Sequence, residues 1–208
     1  MIIGNVALSS LEGLEGLTSR GGDLLIKKNN ALINLEGLDN LTFIGGSFNI
    51  GKDGGNSTLE NLEGLEVLTS IGGDFNISGN DALSSLEGLE VLTSIGGHLM
   101  ISGNPTLTSM NDLEGVASIG GDLYIRENEV LSTLEGLDNI KASSIINVYI
   151  YDNDNLSSCE AQTICDYLSN PSGVVEIYNN APGCNSPGEV ASACGFTMPC
   201  LPLGNYFF

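Results

Sequence analysis

Leu83-Ser84-Ser85-Leu86-Glu87-Gly88-Leu89-Glu90-Val91-Leu92-Thr93-Ser94-Ile95-Gly96-Gly97-His98-Leu99-Met100-Ile101-Ser102-Gly103-Asn104 is the stretch that decides the fold. Its apolar period changes partway along. Leu83, Leu86, Leu89, Leu92 and Ile95 recur at every third position, which suits a tight extended or 3₁₀-like path better than a long α-helix. Leu99-Met100-Ile101 then alternates in steps of two, as a strand does when one face is buried. A Gly-Gly pair separates the two parts, and an asparagine closes the unit.

The unit recurs along the chain. Aligned on the isoleucine closing each short strand, it falls at Ile3, Ile26, Ile50, Ile77, Ile101, Ile125, Ile150 and Ile177, with spacings of 23, 24, 27, 24, 24, 25 and 27. The third coil carries three extra residues around Lys52-Asp53-Gly54-Gly55. Asn29, Asn80, Asn104, Asn128, Asn153 and Asn180 each follow the aligned isoleucine by three residues, where stacked side chains can bond backbone groups of neighbouring coils. The Gly pairs 21–22, 45–46, 72–73, 96–97 and 120–121 are read as sharp corners needing positive φ.

One such unit cannot bury its apolar side, whereas a stack buries a continuous column of Leu, Ile, Val and Phe. The expected fold is mainly β: a right-handed parallel β-solenoid of about eight coils of roughly 24 residues, spaced by about 4.8 Å. Residues 160–169 break the pattern and read as a short capping helix with Ile164, Cys165 and Leu168 on one face. A last strand, Val174-Val175-Glu176-Ile177, and a Pro/Gly/Cys-rich tail follow. The expected organisation is a repeat solenoid over 1–158, a disulfide-stabilised cap over 159–198, and a tail or following module over 199–208.

All five cysteines lie after residue 158, with no C-x-x-C pair and with His98 remote. Zinc is therefore not expected, and a stapled end formed in an oxidising compartment is. Cys159, Cys165, Cys184 and Cys194 allow three pairings; links tying the helix to the tail, Cys159 with Cys184 and Cys165 with Cys194, are preferred.

The chain has 26 acidic and 6 basic residues among 208, a net charge of −20. Such a surface repels phosphates and anionic lipid, so neither nucleic acid nor a membrane is an expected partner. No run of 18 apolar residues exists to span a bilayer. Met1-Ile2-Ile3-Gly4-Asn5 enters the repeat at once, which leads to the expectation of a piece of a longer chain, monomeric by itself.

The run L-x-x-L-E-G-L-x-x-L-T-S-I-G-G-D-L-x-I-x-x-N resembles the receptor L domain, a module related to leucine-rich repeats. The resemblance covers about residues 1–180 in seven consecutive registers. It is closest to bacterial relatives in long secreted surface proteins, which implies an extracellular or cell-surface location and a ligand-binding role. In those relatives a capped unit is followed by a fresh one beginning Cys-Leu-Pro. The resemblance implies that Cys200-Leu201-Pro202 opens such a unit, with Cys200 unpaired inside this chain.

Three columns mark the surface. Glu12, Glu36, Glu63, Glu87 and Glu135 stack, and three residues on so do Glu15, Asp39, Glu66, Glu90, Glu114 and Asp138. Like charges about 4.8 Å apart repel by roughly 1 kcal/mol in bulk water, so they are read as splayed, solvated faces. No D-x-D-x-D loop accompanies them, and no cofactor or metal site is expected; Ca²⁺ along the columns is the alternative. Thr18, Thr42, Thr69 and Thr93 form a hydroxyl stripe beside Ser19, Ser70, Ser94 and Ser118, broken by Phe43 and Ala117.

The third feature lies on the outward face of the main sheet. One column reads Leu25, Asn49, Asn76, Met100, Tyr124, Tyr149, Glu176; the next reads Lys27, Gly51, Ser78, Ser102, Arg126, Tyr151, Tyr178. Met100, Tyr124, Arg126, Tyr149, Tyr151 and Tyr178 are thereby gathered, and Tyr and Arg dominate binding hot spots. These six are the candidate ligand-binding residues. One histidine, no nucleophile motif and no phosphate loop argue against an enzyme. The expected function is non-catalytic extracellular recognition or adhesion toward a protein or glycan. A structural spacer and an ice-binding solenoid are the alternatives.

Overall fold

A computed structural model describes residues 1–198. In chain order its strands are β1 (Ile2–Ile3), β2 (Ser19–Arg20), β3 (Leu24–Lys27), β4 (Phe43–Ile44), β5 (Phe48–Ile50), β6 (Ser70–Ile71), β7 (Phe75–Ser78), β8 (Ser94–Ile95), β9 (Leu99–Ser102), β10 (Ser118–Ile119), β11 (Leu123–Arg126), β12 (Val148–Asn153) and β13 (Val175–Asn180). They form two parallel sheets, as a solenoid requires. The main sheet runs β1-β3-β5-β7-β9-β11-β12-β13, and a narrower one runs β10-β8-β6-β4-β2. Sequence reading anticipated the first and not the second.

The every-third-residue leucines fill the space between the sheets. Leu83, Leu86, Leu89 and Leu92 are fully buried, as are Leu99 and Ile101 from the strand. Most of their path is tight turns, with 3₁₀ turns at Asn111–Leu113 and Ala142–Ser144. Each buried Leu contributes about 1.5–3 kcal/mol. Phe48 and Phe75 stack in the core with ring centroids 5.4 Å apart.

Register is fixed by a buried asparagine ladder. Asn104 Oδ1 accepts from both the backbone N–H and the Nδ2 of Asn80, while Asn104 Nδ2 donates to the Ile77 carbonyl and to Asn128 Oδ1. The same pattern links Asn29, Asn56, Asn80, Asn104, Asn128, Asn153 and Asn180. Asn5 begins it, with its N–H and Nδ2 both on Asn29 Oδ1. Two rungs were missed by the isoleucine alignment. Asn56 lies beyond the three-residue insertion, and Asn5 was displaced because Ile2, not Ile3, pairs with Ile26. Asn29 Nδ2 accordingly reaches the Ile2 carbonyl, and Ile3 is exposed.

The Gly-Gly pairs also carry a correction. None of them adopts positive φ. Their need for glycine is steric: a Cβ on Gly45, Gly72, Gly96 or Gly120 would strike the backbone carbonyl of Gly21, Gly45, Gly72 or Gly96 one coil away. The positive φ belongs to the glycine of the Leu-Glu-Gly-Leu turn, from +99° at Gly136 to +107° at Gly37. At Gly37, Gly64, Gly88 and Gly136 the Cβ would also meet backbone of the preceding coil.

The end is closed by two helices rather than the single one expected. α1 (Gln162–Ser169) buries Thr163, Ile164, Tyr167 and Leu168. Its first N–H is held from the coil below by Asp138 Oδ1 at 2.8 Å, and the Tyr167 hydroxyl donates to the Ile146 carbonyl at 2.6 Å. α2 (Pro187–Ala193) starts on a Ser186 cap with Pro at its first turn. The disulfides are Cys159–Cys184 and Cys165–Cys194, the preferred pairing. The ladder ends in this cap, where Asn180 donates its N–H to Asn185 Oδ1 and its Nδ2 to the Cys184 carbonyl. Cys200 lies outside the described residues.

Two outcomes follow from this geometry. Asn104→Ala removes the acceptor shared by the Asn80 N–H and Nδ2 and the amide donor to the Ile77 carbonyl, so denaturant unfolding should show a loss of about 2–4 kcal/mol. Asn5→Ala at the exposed end should lose under about 1 kcal/mol; equal losses would contradict the ladder's role. Each disulfide closes a loop of 25 or 29 residues, worth about 3–4 kcal/mol by chain entropy. Cys159 and Cys184 are buried while Cys165 and Cys194 are partly exposed, so titration with thiol should open Cys165–Cys194 first. Loss of the Asn180 amide's hydrogen-exchange protection should wait for the second bridge.

Candidate functional site

The main sheet sets the columns expected from the sequence. Met100 pairs with Tyr124, Tyr124 with Tyr149, Tyr149 with Glu176, and in the next column Arg126 with Tyr151 and Tyr151 with Tyr178. Residues at alternate strand positions face outward, so Tyr149 and Tyr151 stand side by side on β12. Met100, Tyr124, Arg126, Tyr149 and Tyr151 are half-buried, and Tyr178 is exposed.

Strand spacing forces the rings into face-to-face contact. Tyr124 stacks on Tyr149 with centroids 4.5 Å apart, and Tyr151 on Tyr178 at 4.9 Å. Such pairs contribute about 0.5–1.5 kcal/mol beyond area burial and hold the rings before any partner arrives. Arg126 Nη1 lies 3.3 Å from Glu127 Oε1 at the edge of the patch.

Sequence reading missed a second polar ladder beside this surface, on the same outward face. The residue after each Gly-Gly pair accepts the backbone N–H of its counterpart one coil on: Asp23 from Ser47, Ser47 from Asp74, Asp74 from His98, and His98 Nδ1 from Asp122. Asp122, nearly buried, then accepts from Asn147 Nδ2 at 2.7 Å and from the Tyr124 hydroxyl at 3.0 Å. The signal was visible as a polar residue at every such position. Its consequence is that Tyr124 is anchored at both ends, ring on ring and hydroxyl on carboxylate.

Burial first, then the Asp122 hydrogen bond, pushes the Tyr124 phenol far above the ordinary tyrosine range. Tyr149 moves the same way, from burial and then the Asp122 charge. Burial also raises Tyr178, against a smaller opposing effect of Arg126.

The other columns have structural uses. Glu15, Asp39, Glu66 and Glu90 fold back to accept the N–H of the glycine two residues earlier, at 2.8–3.1 Å. That bond, chiefly, holds the Glu15 carboxyl below its usual value. Among the described residues no group of three His, Cys, Asp or Glu is placed to hold a metal ion. In the hydroxyl stripe, Thr42, Thr69 and Thr93 each donate to the carbonyl of the threonine one coil earlier. A depression of about 600 Å³ over the second sheet is lined by Phe43, Ser70, Ser94, Ser118 and backbone glycine, and contains no ionisable side chain.

The phenol shifts have a measurable sign. Native Tyr124 keeps its proton where an unfolded tyrosine, near pH 10, has released it. Stability should therefore hold through neutral pH and fall as pH rises above about 10. Tyr124→Phe should flatten that fall in chemical denaturation and remove a late step from the phenolate absorbance titration. An unchanged titration would contradict the Asp122 anchor.

No family model, curated protein or solved structure matches this chain. The resemblance to the receptor L domain therefore rests on the repeat residues, and the site must be read from its own chemistry.

Proposed function

We propose that this chain is a non-catalytic recognition module acting outside the cell, and that a protein or glycan partner docks on Met100, Tyr124, Arg126, Tyr149, Tyr151 and Tyr178. The observation that carries the reading is the two stacked tyrosine pairs, side by side on the outward face of the main sheet, half-buried except for the exposed Tyr178. Each ring offers a large apolar surface with a polar tip, and rings already ordered lose little entropy on binding. Charge on this face is mixed: Lys27, Lys52 and Arg126 stand with Asp74, Asp122 and Glu176, whereas the uninterrupted carboxylate columns run along the turns. Two disulfides favour an oxidising compartment, and no helix of the described residues is long and apolar enough to cross a membrane. Against catalysis stands the sole histidine, whose Nδ1 is occupied by the Asp122 N–H.

The test is a screen of the chain against arrays of glycans and of extracellular proteins. The combined Tyr149→Ala and Tyr151→Ala variant should weaken any captured partner by at least about tenfold, or 1.4 kcal/mol. The Glu63→Gln and Glu87→Gln control should stay within about twofold. A ligand indifferent to the tyrosines overturns the site; no ligand at all leaves the spacer role in its place.

A further inference from the structure

Beside the tyrosine patch the sheet face holds a slot of about 230 Å³, lined by Asn49, Lys52, Asp74, Asn76, His98, Met100 and Tyr124, with Phe75 beneath. Its position follows from two irregularities of the repeat. The three-residue insertion of the third coil places Lys52 at one end, next to Asp53, whose φ is +59°. The other end is the face of Tyr124 that does not stack on Tyr149. Between them Asn49, Asn76 and Met100 occupy successive positions of one outward column.

We propose that this slot binds one ring of an uncharged glycan, with the pyranose C–H face on Tyr124 and its hydroxyls on the polar wall. The inference deepens the recognition reading above and rests on it. Size comes first: roughly 300–1,000 Å³ is usual for a drug-sized ligand, and this slot is smaller, so it takes a ring rather than a protein loop. Hydrogen-bonding capacity comes second. Among the described residues the Asn49 amide and the Lys52 ammonium have no side-chain hydrogen bond to the protein. Asp74 uses Oδ1 on the His98 N–H and keeps Oδ2. His98 accepts from the Asp122 N–H through Nδ1, so neutral His98 carries its proton on Nε2 as a free donor. Adjacent sugar hydroxyls, each both donor and acceptor, match this mixture of amide, carboxylate, ammonium and imidazole.

Charge comes third. One carboxylate and one ammonium line the slot, which is balanced on a chain of net charge −20. An acidic sugar would meet that long-range field without a compensating cluster of cations. The aromatic wall is fixed in advance, because Tyr124 is held by Asp122 and by Tyr149 and His98 stands edge-on to it with centroids 6.1 Å apart.

The experiment is an array of neutral hexose and N-acetylhexosamine oligosaccharides beside sulfated and uronic acid ones, followed by calorimetric titration of the hits. Neutral oligosaccharides should bind. The Asn49→Ala and His98→Ala double variant, both positions being partly exposed, should weaken them by at least about tenfold, while Glu87→Gln on the distant turn column stays within about twofold. Circular dichroism and the melting temperature establish that the variants fold; if the double variant does not, Lys52→Ala and Asn49→Ala singly give the same readout. No neutral sugar bound at millimolar concentration, binding of acidic sugars alone, or binding indifferent to the slot variants overturns the proposal. A protein partner that is lost in the Tyr149→Ala, Tyr151→Ala variant and insensitive to the slot variants also overturns it, and leaves the recognition reading standing.

Discussion

A buried amide that depends on the coils either side of it sets the rest of this molecule. Each ladder asparagine brings a carbonyl and an NH₂ into an apolar interior, where an unmade hydrogen bond costs about 1–3 kcal/mol. Its partners are chiefly asparagine and isoleucine groups one coil away, with a carbonyl of its own coil added at Asn104, Asn128 and Asn153. A slip of one residue would misplace every rung together and turn the alternating strand residues inside out. Leucine burial makes the coils stack; the ladder decides in which register. The coil lengths of 24, 25 and 27 residues are all accommodated because extra residues are pushed into loops while the rungs stay aligned.

Fixed register turns sequence into columns, and columns are where the candidate site arises. Parallel strands place identical positions at one spacing, close to that of stacked rings. Tyrosine at consecutive coils therefore stacks with no further design, as Tyr124 with Tyr149 and Tyr151 with Tyr178. The outward positions are free to vary, since the core does not depend on them. Asn49 and Asn76 precede Met100 and Tyr124 along one column without disturbing a pairing. The proposed recognition surface is a change of residue along an unchanged scaffold.

This division also explains what could be read from the sequence. The period of three, the period of two and the recurring asparagines are strong signals because each repeats, and they led to the parallel solenoid and to the outward columns. Errors came where the repeat is interrupted or where two causes predict the same residue. At the first coil, adjacent isoleucines made the alignment ambiguous by one. Glycine at the Gly-Gly corner signals either unusual φ or lack of space, and only the neighbouring coil's carbonyl distinguishes them. α2 did carry a local signature, Ser186-Pro187-Gly188-Glu189, in which Ser and Glu sit three apart as in a capping box. It was obscured by a tail rich in Pro, Gly and Cys. The slot could not be foreseen, because Lys52 and Tyr124 meet only through the accumulated register of the coils between them.

The negative charge is best understood together with the turn geometry. Each Leu-Glu-Gly-Leu turn exposes a glycine N–H, and in four coils the acidic residue two positions later bends back to accept it. A carboxylate engaged in its own turn is aimed along that turn and not at its neighbour, which spreads the column's charge and lets it recur at every coil. Repeating a favourable local bond thus raises the net charge as the array lengthens, without any ion being required. The outward positions of the main sheet lie away from those turns and carry a mixture: Lys27 and Arg126, with Lys52 beside them, against Asp23, Asp74, Asp122 and Glu176. The contrast leaves one face of a strongly acidic solenoid on which the proposed uncharged partner would meet aromatic rings and mixed polar groups instead of an uninterrupted column of carboxylates.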